Sequence, residues 1–282
     1  MELTIIIVNH NTFTYLEKCL KSLFASLKNS GIKYEVIVVD NGSNKDEVRK
    51  LAGIKGIRLI KNKENLGFST ANNQAVEKAR GQYILFLNPD TIILGSAISK
   101  LLNFYKSHRH AFIGPKLLNS DKTVQPSCGR FYTLPVVFSI LFLKGEKTGL
   151  TKFSPSYSRV VEWLSAACIL TTKEIFSKLG GFDEDLFLYN EEVDLMYRAR
   201  KQGFLCYFYS KASIIHYGAV STLGKNSAVN TYKGLIYFYS KHYSKISLVI
   251  LKILLYTKYY LVKIYSLIVG DKNLLKKYEN WN

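Results

Sequence analysis

The sequence lacks the residues and motifs that mark several common protein classes. Its four cysteines lie far apart, with no C-x-x-C pair and no histidine at zinc-ligand spacing. We therefore expect a reducing compartment and no structural zinc. No G-x-G-x-x-G follows the first apolar run and no G-x-x-x-x-G-K-[ST] occurs, which argues against dinucleotide-binding and P-loop proteins. The apolar run of residues 3–8 is too short for a signal peptide and is better interpreted as a first strand, while the cysteine pattern favours the cytoplasm.

Acidic residues are also scarce. The chain has 21 Asp and Glu against 39 Lys and Arg, a formal net charge of +18. Such a surplus predicts an anionic partner, which can be nucleic acid, a phospholipid surface or a phosphorylated substrate. The 282 residues, 48% of them hydrophobic, are enough for a globular fold of one large or two small domains.

Short apolar runs alternate with amphipathic segments through the first 90 residues. The runs at 3–8, 35–40, 57–60 and 83–87 predict strands, and the segments near 14–29, 44–52 and 69–79 predict helices. This βαβ series indicates an α/β, Rossmann-like, mostly parallel sheet flanked by helices. Such a sheet most often binds a nucleotide, although the fold alone does not prove the function.

Polar residues follow the predicted strands where ligands bind to parallel sheets, at the carboxyl ends. Asp40 ends the second strand and could accept hydrogen bonds from a nucleotide base or ribose, or belong to an ordinary turn. Asp90 follows the fourth strand within Asn-Pro-Asp, where it could hold a metal ion or lie in a polar turn. Gly67 allows close backbone approach, and Ser69 is expected to cap the following helix.

The middle of the chain is less regular. The pattern of residues 114–131 predicts a loop. Residues 133–150 form an apolar segment that is expected to associate with a surface. Between 161 and 221 we expect a strand to about residue 170, a short helix from 173 and a glycine turn at 180–181. A helix from 191 to about 202 and strands at 204–209 and 213–216 complete this region.

An acidic helix and a histidine provide further candidate site residues. Asn190 is a predicted N-cap, and Glu191 and Glu192 fall in the first helical turn. Acidic side chains there are stabilised by the helix dipole, and one of them could also act as a general base. His216 ends a predicted strand. It could be satisfied by hydrogen bonds, or with Asp90, diphosphate oxygens and water it could bind Mg²⁺ or Mn²⁺.

Seven segments occur together in an order that resembles family 2 glycosyltransferases of GT-A fold, in particular the rhamnosyltransferase-like branch of bacterial polysaccharide synthesis. They span residues 3 to about 221 and read IIIVNHN, EVIVVDNGS, ENLGFSTANNQA, YILFLNPDTII, WLSAACILTTKEIF, LGGFDEDLFLYNEEVDLMYRARKQGF and ASIIHYGAVS. The resemblance implies inverting transfer of a sugar from a nucleotide donor to an acceptor hydroxyl, at a lipid-linked glycan on the cytoplasmic membrane face.

The resemblance also implies a role for each matching residue. The nucleotide would be bound by Asp40, the backbone at Val8 and Asn9, and the side chains of Asn65, Asn72, Asn73 and Asn88; the metal by Asp90 and His216; and the acceptor near Gly181, Phe182 and Asp183. Glu192 would be the base, with Glu191 as its rival, because relatives usually carry Asp at this position. Asn72 replaces an arginine frequent in relatives that use uridine diphosphate sugars. The resemblance thus favours dTDP-rhamnose, with UDP-sugars next.

The C-terminal part, residues 231–282, is strongly basic, with nine lysines against two acids, or +7. Its apolar stretch at 245–270 is interrupted by lysines, so it is not expected to span a bilayer. Lys245, Lys252 and Lys263 fall within about 20° of one line on a helix, which predicts that residues 241–277 lie on an anionic membrane. Packing on the catalytic domain and a homodimer contact are the alternatives.

The predicted organisation is a GT-A catalytic domain at 1–230, with a nucleotide-binding half at 1–110 and an acceptor-binding half at 111–230, followed by a C-terminal helical extension. Three other functions compete. A nucleic-acid binder fits the charge, but the acidic stretch at 183–195 suits it poorly. A sugar nucleotidyltransferase would need a glycine-rich triphosphate loop after the first strand, which is missing. The third rival binds sugar nucleotide without catalysis.

Overall fold

The computed structural model describes residues 1–108, 112–186, 190–218 and 227–271. Its first part has the alternation expected from the sequence. The elements are β1 (Leu3–Asn9), α1 (Phe13–Leu27), β2 (Tyr34–Asn41), α2 (Lys45–Ala52), β3 (Arg58–Asn62), α3 (Phe68–Lys78) and β4 (Tyr83–Leu87). β1 and β2 are rich in β-branched residues and almost entirely buried, as expected of strands covered on both faces.

The second part of the chain adds shorter strands and helices. They are β5 (Thr91–Ile93), α4 (Ala97–His108), β6 (Phe112–Leu118), β7 (Val124–Gln125), β8 (Cys128–Gly129), α5 (Leu134–Phe142), β9 (Lys152–Phe153), β10 (Arg159–Val161), β11 (Trp163–Leu164), β12 (Cys168–Thr172), α6 (Lys173–Lys178), α7 (Glu191–Lys201), β13 (Cys206–His216), α8 (Ser227–His242) and α9 (Lys245–Val269).

The main sheet has the strand order β10-β13-β6-β12-β4-β1-β2-β3, and a small second sheet has the order β11-β8-β9. β3, β2, β1 and β4 are parallel, and β6 and β13 are parallel to each other. β12 runs antiparallel between β4 and β6. The predicted mostly parallel α/β sheet is therefore confirmed, with an antiparallel strand in its middle.

Successive residues of each strand enter different layers of the core. Ile6 and Phe86 belong to one hydrophobic cluster, and Ile5, Ile7 and Leu85 belong to the other. This separation follows from the two-residue period of a strand. Both faces of the sheet are therefore covered, and its carboxyl edge is left to carry the polar groups.

Three local expectations were wrong. Residues 114–131 are not a loop, because β6 is inserted between β12 and β13 and pairs with both. The two strands expected at 204–209 and 213–216 are one strand, β13, with an irregularity between Tyr209 and Ser213. Ser69 does not cap α3, which begins after Gly67 with φ 86°; its hydroxyl instead donates to the carbonyl of Leu186 at 3.0 Å.

The C-terminal helices pack on the catalytic core. The boundary expected at residue 230 falls inside α8, whose Leu235 and Phe238 belong to the first hydrophobic cluster together with Leu251 and Leu255 of α9. α9 contacts both α5 and α8. Within the four described ranges, no helix combines the length and apolarity needed to cross a bilayer. The expected membrane segment at 241–277 extends past residue 271, and that last part lies outside the described residues.

Candidate active site

The carboxyl ends of β1 and β2 bring Asn9 and Asp40 side by side. Their Cα atoms are register partners, and the Asn9 amide lies 3.5 Å from a carboxylate oxygen of Asp40. Both side chains are buried. The Asn9 amide also approaches Ser43 and Glu47, and its carbonyl accepts a hydrogen bond from Thr12. Asn9 therefore fixes the strand ends through its side chain.

Sequence reasoning missed Asn41, which organises the loop around the next expected site residue. Its amide donates to Asn65 at 2.9 Å and to the carbonyl of Gly67 at 3.1 Å. Gly42 is required beside it, because φ is +74° and a Cβ there would lie 2.4 Å from the backbone of Glu64. The turn sequence DNGS was the only indication of this contact, and it is also common in ordinary turns.

The three other expected asparagines are tied to the protein backbone in different ways. The Asn72 amide donates to the carbonyl of Phe68, and the residue is buried. The Asn73 side chain bonds both the amide and the carbonyl of Phe182, at 3.0 and 2.9 Å. Asn88 accepts a hydrogen bond from Thr91 through its carbonyl. Asn72 and Asn73 thus have structural roles that do not depend on a nucleotide.

Asp90 and His216 meet at the same edge of the sheet. β13 pairs with β5 so that His216 is opposite Thr91, and the amide of Tyr217 donates to the carbonyl of Asp90 at 3.0 Å. The His216 Nε2 lies 3.4 Å from a carboxylate oxygen of Asp90. Two residues that are 126 positions apart in the sequence therefore lie side by side at this edge.

Gln125 of β7 orients the His216 ring and was not anticipated. Its amide nitrogen donates to the carbonyl of His216 and to Asn119, which leaves its oxygen to accept from Nδ1 of His216 at 2.8 Å. Nδ1 then carries the hydrogen, and in the neutral ring Nε2 is an acceptor. Such outer hydrogen bonds commonly fix the tautomer of a metal-binding histidine.

The pair is suited to a cation. A neutral Nε2 and an Asp90 carboxylate oxygen are both acceptors, and two facing acceptors at 3.4 Å repel each other unless a proton or a metal ion lies between them. Among the described residues, no group of three or more His, Cys, Asp and Glu side chains could hold a metal. The remaining ligands of an ion here would have to come from substrate phosphate and water.

Glu191 and Glu192 begin α7 next to each other. Burial raises the pKa of Glu191 well above its ordinary value, and the charge of Glu192 raises it further. Burial also raises the pKa of Glu192. One carboxylate oxygen of Glu191 is buried with no hydrogen-bond partner among the described residues. Two close carboxyls with raised pKa values are suited to holding and accepting a proton.

The segments on both sides of α7 are tied to neighbouring elements. Ser69, near the start of α3 and just after β3, bonds Leu186, a few residues before α7. At the C-terminal end of α7, the backbone amide of Phe204 donates to the carbonyl of Ala199, and β13 begins two residues after Phe204. Asn190 precedes α7 with φ 70° and makes no side-chain cap, so the expected N-cap hydrogen bond is absent and the first turn of α7 is not closed by this side chain.

The glycine turn before α7 is rigidly held. The Phe182 ring is 1% exposed and packs against Phe68, Phe86 and Phe176. The Phe182 ring therefore cannot contact an acceptor as expected, because it is packed in the hydrophobic core. Gly181 has φ 73°, and its carbonyl accepts from Arg198 at 2.8 Å.

A buried charge cluster connects this turn, α7 and α8. Asp194 is fully buried and contacts Arg198 at 2.7 Å, His242 at 2.6 Å and Lys241 at 2.9 Å. Lys241 also pairs with Asp183 of the turn. Burial opposes ionisation of Asp194, but the hydrogen bond from His242, the charge of Arg198 and the contact with Lys241 outweigh it and lower its pKa to about 2.

Replacing Asp194 is expected to destabilise the protein strongly. We expect Asp194→Asn to lower the free energy of unfolding by about 3 kcal/mol, because Arg198 and Lys241 would lose a buried partner. The folded pKa is below the unfolded value, so this stability is present above pH 4 and is lost as the pH falls towards 2. Urea denaturation between pH 3 and pH 7 measures both effects. Asp46→Asn, in an exposed pair with Arg49, is the matched control and should change little. Equal losses for the two variants would contradict the prediction.

Comparison with known proteins agrees with this architecture. The model of the family described as Glycosyl transferase family 2 matches residues 4–149. Rhamnosyltransferase WbbL of Escherichia coli is 31% identical, over 76% of this chain and 82% of that protein. The N-acetylglucosaminyl-diphospho-decaprenol L-rhamnosyltransferase of Mycobacterium tuberculosis is 28% identical, over 78% of this chain and 77% of that protein.

Solved structures share the fold at low identity. GalNAc-T7, crystallised with UDP, GalNAc and Mn²⁺, has a TM-score of 0.64 and 16% identity over 85% of this chain. This chain spans only 48% of the GalNAc-T7 chain. Staphylococcus aureus TarS 1-349 in complex with UDP has a TM-score of 0.58 and 16% identity, over 85% of this chain and 65% of that one.

These findings define the protein as a glycosyltransferase of GT-A fold, as the sequence predicted. The chain belongs to glycosyl transferase family 2, and its relatives include rhamnosyltransferases.

Proposed function

We propose that the chain is an inverting glycosyltransferase that moves a sugar from a nucleotide donor to a hydroxyl of a lipid-linked glycan in surface polysaccharide synthesis. Rhamnose from dTDP-rhamnose is the leading donor, and UDP-sugars are next. The observation that carries the proposal is the approach of Asp90 and His216 to 3.4 Å at the carboxyl edge of a family 2 fold. The rhamnosyltransferase relatives support the choice of sugar.

Asp90 and His216 would hold a divalent ion, Mg²⁺ or Mn²⁺. When bound, such an ion supplies positive charge to the diphosphate that leaves with the nucleotide. Gln125 keeps Nε2 of His216 free to face Asp90 by accepting the hydrogen of Nδ1. Asp40 is placed to accept hydrogen bonds from the base or ribose, at the edge reached by the buried end of β2.

Glu192 is the proposed general base. It accepts the proton of the acceptor hydroxyl as that oxygen attacks the anomeric carbon on the face opposite the diphosphate, so the configuration inverts. Glu191, which is more deeply buried and has no partner for one oxygen, keeps a proton and leaves the negative charge on Glu192. Two neighbouring carboxyls thereby take different protonation states.

The donor is tested by direct binding and transfer. The purified full chain is incubated with dTDP-rhamnose, UDP-glucose and UDP-N-acetylglucosamine, each with Mn²⁺ or with EDTA. We expect dTDP-rhamnose with Mn²⁺ to give the largest rise in melting temperature, because a ligand that binds only the folded state stabilises it. Release of dTDP and labelling of a lipid-linked acceptor measure transfer. A larger shift with a UDP-sugar would replace the donor, and no shift with any of them would contradict the proposed function.

We further propose that α9 attaches the enzyme to the cytoplasmic face of the cell membrane. Its inner side packs through Leu251 and Leu255, while the opposite side presents exposed apolar residues, Ile246, Val249, Ile253, Tyr260, Ile264 and Leu267. Lys245, Lys252 and Lys263 are exposed beside this face. An apolar face flanked by lysines has the chemistry of a helix lying in the interface of an anionic membrane.

Single acidic substitutions in α9 should release the protein from membranes. Ile253→Asp and Ile264→Asp replace residues that are 58% and 55% exposed. Each is expected to lower binding to vesicles containing phosphatidylglycerol by about thirtyfold, since it removes apolar burial worth about 2 kcal/mol. Val124→Asp, at an equally exposed position on β7, is the control and should bind as the wild type does. Co-sedimentation measures the bound fraction, and unchanged binding of both α9 variants would refute the attachment.

A further inference from the structure

A cavity of about 650 Å³ is lined by residues from the second part of the chain. It is bounded by the small sheet, by the C-terminal half of α7 and by the edge strand β10. Asp40, Asp90, His216 and Glu192 do not line it. A volume of this size is typical of a small-molecule site, and the mechanism proposed above does not use it.

Three arginines line this cavity, namely Arg130 after β8, Arg159 of β10 and Arg200 of α7. All three are exposed, and within the described residues no ion pair involves any of them. The acidic lining residue is Glu162, whose carboxylate accepts the amide hydrogen of Phe131. The lining thus carries two more positive than negative charges. A guanidinium group can donate two parallel hydrogen bonds to the oxygens of one phosphate. The ligand that best matches this lining is therefore a diphosphate.

The distance from the proposed base suits one end of the acceptor. Glu192 and Arg200 lie on the same helix, eight residues and therefore about 12 Å apart along its axis. Tyr197, which also lines the cavity, lies between them. A sugar ring linked to a diphosphate can bridge this separation, with a ring hydroxyl at Glu192 and the phosphates at the arginines.

The cavity also reaches the helix with the exposed apolar face. Tyr243 lines it, and α9 begins two residues later at Lys245. Other lining residues are apolar or aromatic, including Phe131, Phe153 and Phe204. A chain leaving the phosphates would therefore meet aromatic side chains first and the membrane-facing helix next.

We infer that the cavity bounded by Arg130, Arg159 and Arg200 binds the diphosphate of a prenyl-diphosphate-linked acceptor, with the prenyl chain directed towards α9. This inference rests on the lipid-linked acceptor of the proposed function. It assigns a second anion site, separate from the one that receives the nucleotide diphosphate at Asp90 and His216.

The test uses the full chain with farnesyl diphosphate as the probe, in EDTA so that the metal-dependent nucleotide site does not contribute. Isothermal titration calorimetry compares the wild type with Arg159→Ala, Arg200→Ala and the double variant. Each single variant is expected to weaken farnesyl diphosphate binding at least tenfold, and the double variant more. Affinity for dTDP with Mn²⁺ should remain within twofold in all of them.

Arg49→Ala is the matched control, because Arg49 is an exposed arginine of α2 and its loss changes the net charge equally. It should bind farnesyl diphosphate as the wild type does. Unchanged binding by the double variant, or an equal loss in Arg49→Ala, would overturn the assignment. Inorganic pyrophosphate is the third arm. If it binds as tightly as farnesyl diphosphate, the cavity recognises a free anion, and the lipid acceptor is overturned.

Failure of this inference is distinguishable from failure of the proposed function. If the wild type binds and transfers from a sugar nucleotide but farnesyl diphosphate binding does not depend on the arginines, only the acceptor site is wrong. If the wild type binds no sugar nucleotide while the arginine-dependent affinity is measured, only the proposed reaction is wrong.

Discussion

Glu192→Gln is expected to lower the turnover number by a factor of about 10² to 10⁴ while leaving donor affinity within a few fold. The amide has nearly the same size as the carboxylate but cannot accept the acceptor proton. Steady-state transfer of labelled sugar measures the turnover number, and calorimetry with the nucleotide measures donor affinity. Unfolding curves that superimpose with those of the wild type would show that the loss is chemical. Transfer near the wild-type rate would remove Glu192 from the mechanism.

Glu191→Gln provides the matched comparison, because it makes the same substitution one residue earlier. In the proposed mechanism Glu191 is already protonated, so replacing it with glutamine leaves the charge next to Glu192 unchanged, and burial still raises the pKa of Glu192. The wild-type rate falls as the pH drops through the raised pKa of Glu192, and in Glu191→Gln this fall should occur at nearly the same pH. Activity at neutral pH should remain within a few fold. If Glu191→Gln is inactive and Glu192→Gln is not, Glu191 is the base.

Asp90→Asn is expected to weaken Mn²⁺ binding in the presence of nucleoside diphosphate and to lower turnover by a factor of about 10² to 10³. An amide has no charge to attract the ion, and its NH2 group can donate to Nε2 of His216 in place of the ion. Electron paramagnetic resonance of free Mn²⁺ measures binding without reference to activity. His216→Ala should weaken binding in parallel, since the two side chains approach to 3.4 Å.

Asp121→Asn is the control for this series, because it neutralises an exposed aspartate in the turn after β6. It should leave Mn²⁺ binding and turnover unchanged. If Asp90→Asn binds Mn²⁺ as the wild type does, Asp90 is a turn residue and the contact with His216 is a structural ion pair.

Local sequence pattern predicted most of the first half of the fold. Each βαβ step there is encoded within a few tens of residues, by apolar runs ended by polar turns, and the helix and strand limits differ from expectation by a few residues. β6 was missed because its sequence, FIGPKLL, contains glycine and proline, which usually break strands. Pairing on both sides, by β12 and β13, overrides that local preference.

The sequence was enough to identify candidate site residues that lie at the ends of strands. It was not enough to identify residues whose role depends on contacts between distant segments. Asp90 and His216 could be found because both follow apolar runs. Gln125 could not, since a two-residue strand has no periodicity to detect, and its role depends on a contact across 91 residues. The arginine cavity likewise combines three segments whose arrangement is set by the small sheet and by α7.

The irregularity in β13 determines where this enzyme can gain or lose residues. The strand is in register with β6 from Ser213 to Ile215 and with β5 from Ile214 to His216, so inserting one residue there would turn the imidazole to the other face of the sheet. Between Tyr209 and Ser213 the register with β6 is already shifted, so an extra residue there can be accommodated in the irregularity. Length variation among functional homologues, and successful loop grafts into this strand, should therefore concentrate at residues 210–212.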